Sequence, residues 1–237
     1  MKEKIIGILG GMGPEATAEL FMNIIRATPA KKDQDHIRVI IDSNSKIPDR
    51  TSAIMGKGPS PLPEMVRTAE NLEKAGVDFI IIPCNTAHYF YEELSKSIRV
   101  PILNMVELTA QTIHKKFSGI RRIGLIATTG TVKSGIYHRA LGKYGFEALC
   151  PSQRLQDRVM EAIYSHIKTG RISEGKETIT SVASELVKGG AEAVICGCTE
   201  VSLVLKEGDI PVPVVDPLQI LAKTAVTMAL GRGDQKP

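Results

Sequence analysis

"LEKAGVDFIIIPCNTAH", residues 72–88, and "LVKGGAEAVICGCTEVS", residues 186–202, align without a gap. Each reads as the end of a helix, a glycine turn, a short β-branched run and a cysteine just past it. The alignment sets Lys74 on Lys188, Gly76 on Gly190, Ile81 on Ile195 and Cys84 on Cys198. Two further segments repeat in the same order: "IGILGGMG" from Ile6 with "IGLIATTG" from Ile123, and "VPILN" from Val100 with "VPVVD" from Val212. Three ordered matches describe two copies of one unit of about 110 residues, too few copies for a solenoid but suited to two similar lobes.

Within each copy, runs such as "IIGIL", "HIRVIID", "DFIII", "RRIGLIA" and "AEAVIC" alternate with longer stretches of helical spacing. Alternating strand and helix predicts an α/β fold: two pseudo-symmetric lobes, each a parallel β-sheet flanked by helices, with the active site in the cleft between them. The expected boundaries are residues 1–104 for the N-terminal lobe and 105–216 for the C-terminal lobe, with a helix over 217–237 packing back on the first. "ATAELFMNIIRAT" places Leu20 and Ile24, and Phe21 and Ile25, at helical spacing. "LQDRVMEAIYSHIKTG" repeats Leu155, Val159 and Ile163 and predicts one amphipathic helix capped by Gly170. Residues 43–65 are rich in Pro, Gly and Ser and read as one long irregular lid, mobile over residues 45–60. The tail "GRGDQKP" reads as a frayed terminus rather than an adhesion signal.

The 237 residues are 43% hydrophobic and 24% charged, the composition of an ordinary globular chain rather than a disordered one. A net charge of +4, with acids and bases intermixed, excludes a dedicated nucleic-acid face and leaves room for small anions. No apolar run approaches the roughly 18 residues of a membrane span, and the short first run, broken by glycine and followed by Pro14 and Glu15, reads as a strand rather than a signal peptide. Four scattered cysteines (Cys84, Cys150, Cys196 and Cys198) suggest free thiols in a reducing compartment, hence the cytoplasm.

In a parallel α/β sheet, ligands bind beyond the carboxyl ends of the strands, where both Cys84 and Cys198 fall. Each thiol also precedes an expected helix start, whose dipole is expected to lower its pKa toward neutrality. Two such groups on opposite sides of one molecule suit inversion at carbon, one thiolate removing the Cα proton and the other thiol delivering a proton to the opposite face. Zinc at Cys196-x-Cys198 lacks a second ligand pair, so no metal is expected. A Cys84–Cys198 disulfide is excluded by a gap wide enough for substrate, and Cys150 and Cys196 read as structural. The segment Gly11-x-Gly13-x-x-Ala16, with Asp42 ending the second strand, also fits a dinucleotide fingerprint. Its counterpart "ATTGT", residues 127–131, substitutes hydroxyls for bare backbone, which favours two halves of a small carboxylate site.

"GGMGPEAT", "PCNTAH" and "GCTE" resemble the signature segments of aspartate racemases in the aspartate/glutamate/hydantoin racemase superfamily. Glutamate racemases are less similar, with Asp-Ser-Gly where this chain has Met12-Gly13-Pro14, and Thr-His where it has Thr199-Glu200. The resemblance covers essentially the whole chain. It implies a cofactor-independent proton transfer between Cys84 and Cys198, a homodimer, and a substrate whose distal carboxylate meets Arg50 of the "DRT" segment and Lys168. Chemistry independently favours Arg50, because a planar guanidinium grips a carboxylate with two parallel hydrogen bonds. Cys196 is not part of the resembled pattern.

A Cα–H is a very weak acid and no pyridoxal site is legible, so stabilisation must be electrostatic. The candidates to surround the α-carboxylate and amine are Asn85, Thr86, Thr128, Thr131 and Thr199 with the Gly11-Met12 backbone. His88, close behind Cys84, is set outside the catalytic set. The expected activity is interconversion of L- and D-aspartate. A broad-specificity or glutamate-accepting racemase stands beside it, then a cysteine-dependent decarboxylase or cis-trans isomerase, then a non-catalytic sensor of small acids.

Overall fold

The computed structural model describes residues 3–231, and the Arg-Gly-Asp of the tail lies outside them. In chain order the strands and α-helices are β1 Ile6–Gly10, α1 Pro14–Ala27, β2 Val39–Ser43, α2 Arg50–Ile54, α3 Leu62–Lys74, β3 Phe79–Ile81, α4 Tyr91–Ser97 and α5 Met105–Lys116. There follow β4 Arg122–Ile126, α6 Thr129–Ser134, α7 Ile136–Gly142, β5 Glu147–Leu149, α8 Gln153–Glu161, α9 Ile172–Lys188, β6 Ala193–Cys196, α10 Thr199–Val204, β7 Val214–Val215 and α11 Pro217–Ala229. Every strand pairing is parallel, in two sheets ordered β2-β1-β3 and β5-β4-β6-β7. Contacts divide the chain into two compact units. One takes the residues up to Ala53, Gly58–Met105 and the residues from Leu218 on, and the other takes Ile54–Lys57 and Val106–Pro217.

The repeat seen in the sequence is a repeat of hydrogen bonds. Ile80 N–H donates to Pro101 O at 2.9 Å, and its counterpart Val194 N–H donates to Pro213 O at 2.9 Å. The isolated bridge Ile80–Ile102 therefore stands in the first unit where β6–β7 pairing stands in the second. An acid closes the same corner of each unit: Asp78 Oδ2 accepts from Ile5 N–H at 2.6 Å, and Glu192 Oε2 from Arg121 and Arg122 N–H at 2.7 and 2.8 Å.

Burial follows the predicted periods. All of β1 is buried, as expected of a strand covered on both faces, while β2 at the sheet edge leaves Ile41 exposed. On α1 the buried side is Ala16, Thr17, Leu20 and Ile24, and Thr28 Oγ1 closes the helix on Ile24 O at 2.7 Å. The second unit is centred on Val159, Ile163, Ile167, Ile179 and Val182, with Cys196 among them.

Two sequence expectations need correction. Residues 43–65 are not one irregular loop. Asp49 starts α2 inside them, its Oδ1 accepting from Ser52 N–H at 2.7 Å, and α3 begins at Leu62. The expected single helix ending at Gly170 leaves α geometry after Glu161, continuing as π-helix over Ala162–His166 and a 3-10 turn over Ile167–Thr169. The wider π turn lets Ala162, Ile163 and Ile167 all enter the core. There α9 approaches so closely that a Cβ on Gly175 would sit 2.4 Å from Ile167 Cγ1.

Candidate active site

In the first unit, the candidate residues follow the carboxyl ends of β1 and β3. Gly11 turns the chain out of β1 with φ 90°, and a Cβ there would lie 2.3 Å from the Asn44 backbone, so the position demands glycine. Its N–H donates inward to Thr17 Oγ1 at 2.9 Å, and Thr17 Oγ1 in turn donates to Gly13 O at 2.8 Å. An amide turned onto its own helix serves a pyrophosphate cradle poorly, which removes the main support for the dinucleotide reading.

Arg50 opens α2 and is buried, not a solvated lid charge. Its Nη1 donates to Ile47 O and Pro48 O at 3.3 and 3.0 Å, and its Nη2 to Met12 O at 3.4 Å. The guanidinium thereby ties the loop after β2 to the Gly11-Met12 segment. Beyond β3, Cys84, Asn85 and Thr86 are all buried, at 6%, 2% and 5% exposure. Cys84 does not head an α-helix as expected; a 3-10 turn, Thr86–Phe90, comes first and α4 after it.

His88, on that turn, accepts from Met105 N–H at Nε2 (3.1 Å), which leaves the proton on Nδ1 to donate to Cys84 O at 2.8 Å. Burial holds the imidazole below its ordinary value, against backbone hydrogen bonds with Cys84, Leu103 and Asn85. The ring fastens the Cys84 backbone to the start of α5.

The second unit places Thr128, Thr131, Cys198 and Thr199 after the matching strands β4 and β6, and Lys168 on the 3-10 turn Ile167–Thr169. Thr128 caps α6, its Oγ1 accepting from Thr131 N–H at 3.2 Å and lying 3.1 Å from Thr131 Oγ1; both threonines are buried. Gln156, which the sequence did not single out, supports this loop by donating from Nε2 to Ala127 O at 2.9 Å. Cys198 occupies the N-cap of α10 with extended backbone and is 6% exposed, and Thr199 beside it is 2% exposed.

The expected lowering of this thiol's pKa is reversed. Burial pushes Cys198 well up, the adjacent Glu200 carboxylate pushes further, and Lys168 only partly opposes them. A six-residue helix offers a small dipole against complete desolvation and a neighbouring negative charge.

Glu200 is the residue sequence reasoning missed. It is buried, accepts from Cys198 Sγ at 2.9 Å and from Thr199 Oγ1 at 3.3 Å through Oε2, and lies 3.6 Å from Lys168 Nζ through Oε1. Lys168 Nζ also stands 4.5 Å from the Tyr164 ring centroid. The signal was legible, since Glu200 stands two residues after Cys198 in the first turn of an expected helix, where an acid is favoured. Cys196 is the last residue of β6 and fully buried in the second core, and all four cysteines are free thiols.

The geometry has counterparts among known proteins. The family model for Asp/Glu/hydantoin racemases matches residues 9–225. The broad specificity amino-acid racemase RacX of Bacillus subtilis is 29% identical over 234 residues, spanning 95% of this chain and 98% of that protein. Among solved structures, Picrophilus torridus aspartate racemase superposes with a TM-score of 0.86 at 34% identity, covering 95% of this chain and 94% of that one. An aspartate racemase homologue from Pyrococcus horikoshii gives 0.77 at 25% identity, covering 96% and 99%.

Proposed function

Because the chain belongs to the Asp/Glu/hydantoin racemase family, and so is an isomerase acting on a small amino acid, we propose that it interconverts L- and D-aspartate by two-thiol proton transfer without a cofactor. The observation that carries this reading is the equivalence of Cys84 and Cys198, which follow corresponding strands of a duplicated fold. One sulfur, as thiolate, takes the Cα proton; the other, as thiol, gives its proton to the opposite face. The intermediate carries negative charge on the α-carboxylate, and donors fixed before substrate arrives offset that charge without reorganising. Asn85, Thr86, Thr128, Thr131, Thr199 and the Met12 N–H are the proposed donors, the Gly11 N–H being held by Thr17, and Arg50 and Lys168 the partners of the distal carboxylate. Desolvated charge-assisted bonds of this kind are worth about 1.5–3 kcal/mol each, enough to prefer an acidic substrate. A cytoplasmic homodimer belongs to the same reading, supported by the free thiols and the family resemblance.

One observation favours a broader specificity: Lys168 is engaged by Glu200, and three bonds commit the Arg50 fork to backbone carbonyls. Both cations are thus less available to a distal carboxylate than isolated charges. A proton NMR panel of L-amino acids in D₂O tests both readings together. Cα exchange fastest on aspartate supports the specific racemase. Faster exchange on neutral amino acids supports the broad one, and no exchange on any member refutes racemisation.

A further inference from the structure

The geometry points to Glu200 as a positioning residue that keeps Cys198 in its protonated form and takes up that proton when Cys198 must act as the base. The inference rests on the two-thiol reading and adds a third group to it. Glu200 Oε2 lies 2.9 Å from Cys198 Sγ in a buried setting, a distance short for a contact to sulfur, while Oε1 faces Lys168 Nζ at 3.6 Å. Thr199 Oγ1 donates to the same Oε2 at 3.3 Å and fixes the carboxylate's rotation.

The step balances. With Cys198 as acid, its S–H bond breaks and the proton passes to Cα. With Cys198 as base, the S–H proton first moves to Glu200 Oε2 and the electron pair stays on sulfur; the thiolate then takes the Cα proton while Cys84 gives its own. The cycle closes when Glu200 releases its proton and Cys84 regains one. The first transfer turns a thiol and a carboxylate into a thiolate and a carboxylic acid beside the same ammonium, so no net charge is created in the buried cluster. Transfer to a neutral base would also conserve net charge but would create a new buried ion pair, whereas here one anion and one cation stand before and after.

The two halves of the fold differ at this point. The counterpart of Glu200 is Thr86 followed by Ala87, and the nearby imidazole of His88 holds the Cys84 carbonyl rather than its sulfur. The charged groups acting on the Cys198 sulfur are Glu200 from α10 and Lys168 from the turn after α8. Lys206 and Asp216 act on Cys196, and on α9, which packs on α10, Lys176 is engaged by Asp209 at 3.0 Å.

The test is iodoacetamide alkylation of the whole protein across pH, without substrate, followed at each cysteine by peptide mass spectrometry. Glu200→Gln is expected to speed Cys198 alkylation at pH 7 by at least about tenfold, one unit of thiol titration, and Glu200→Asp to restore part of the wild-type profile. Lys168→Met is expected to move Cys198 the opposite way, slowing it, and Cys84 to keep its rate in all three variants. A Cys198 profile unchanged in both Glu200→Gln and Lys168→Met, or shifted in the same direction by both, overturns the proposal. Because no turnover is needed, the alkylation profile is read separately from the D₂O panel, so a failure of this proposal and a failure of the racemase reading are distinguishable.

Discussion

Cys84 and Cys198 are both nearly covered and lie just past the ends of β3 and β6, whereas Cys196 is the last residue of β6 and fully buried. If each serves one face of Cα, neither can replace the other. Cys84→Ala and Cys198→Ala should each leave less than about a hundredth of wild-type racemisation, within the 10²–10⁴ range of a lost proton-transfer group, with circular dichroism unchanged. His88 has a separate, pH-dependent role in stability. Burial lowers its folded pKa from the ordinary 6.5, so the unfolded chain binds the extra proton first. Its contribution is therefore complete above the unfolded value and lost as pH falls from there through the folded one. The destabilisation caused by His88→Gln, read from urea melts, should be largest at pH 7.5 and shrink at pH 5.

At the scale of elements, the composition of residues 43–65 concealed α2, because Pro, Gly and Ser outweighed the one cue that mattered, Asp49 three residues before Ser52. The π segment was hidden for a different reason. Leu155, Val159 and Ile163 continue the helical period, and the change of winding falls just before the close packing of Ile167 against Gly175 of α9. The acids at the strand corners were also legible in principle, since Asp78 and Glu192 align in the repeat. Asp78→Ala removes the acceptor for Ile5 N–H and should cost about 0.5–1.5 kcal/mol in chemical denaturation, the worth of an ordinary hydrogen bond. Glu192 is held below the usual carboxylate value by Arg121 and Arg122 N–H, so its contribution is present above the ordinary 4.5 and fades as pH falls through the folded value.

For the molecule as a whole, a ligand that binds only the folded state stabilises it by mass action. Aspartate at a hundred times its Kd should add about 2.7 kcal/mol to the unfolding free energy. If Arg50 is a carboxylate partner, Arg50→Ala should abolish most of that increment while still unfolding cooperatively, as differential scanning fluorimetry with and without aspartate would show. Loss of stability without loss of the increment would limit Arg50 to its visible work on the Ile47, Pro48 and Met12 carbonyls. The sequence by itself determined the duplication, the parallel α/β class and the placement of Cys84 and Cys198. These depend on period, on β-branched runs and on glycine turns, all of which are local and recur at a near-constant offset. Only the tertiary structure decided the state of the Cys198 thiol, the pairing of Lys168 with Glu200 and the burial of Arg50. Desolvation and charge pairing depend on which distant side chains share a low-dielectric space, and that is a property of packing rather than of neighbours along the chain.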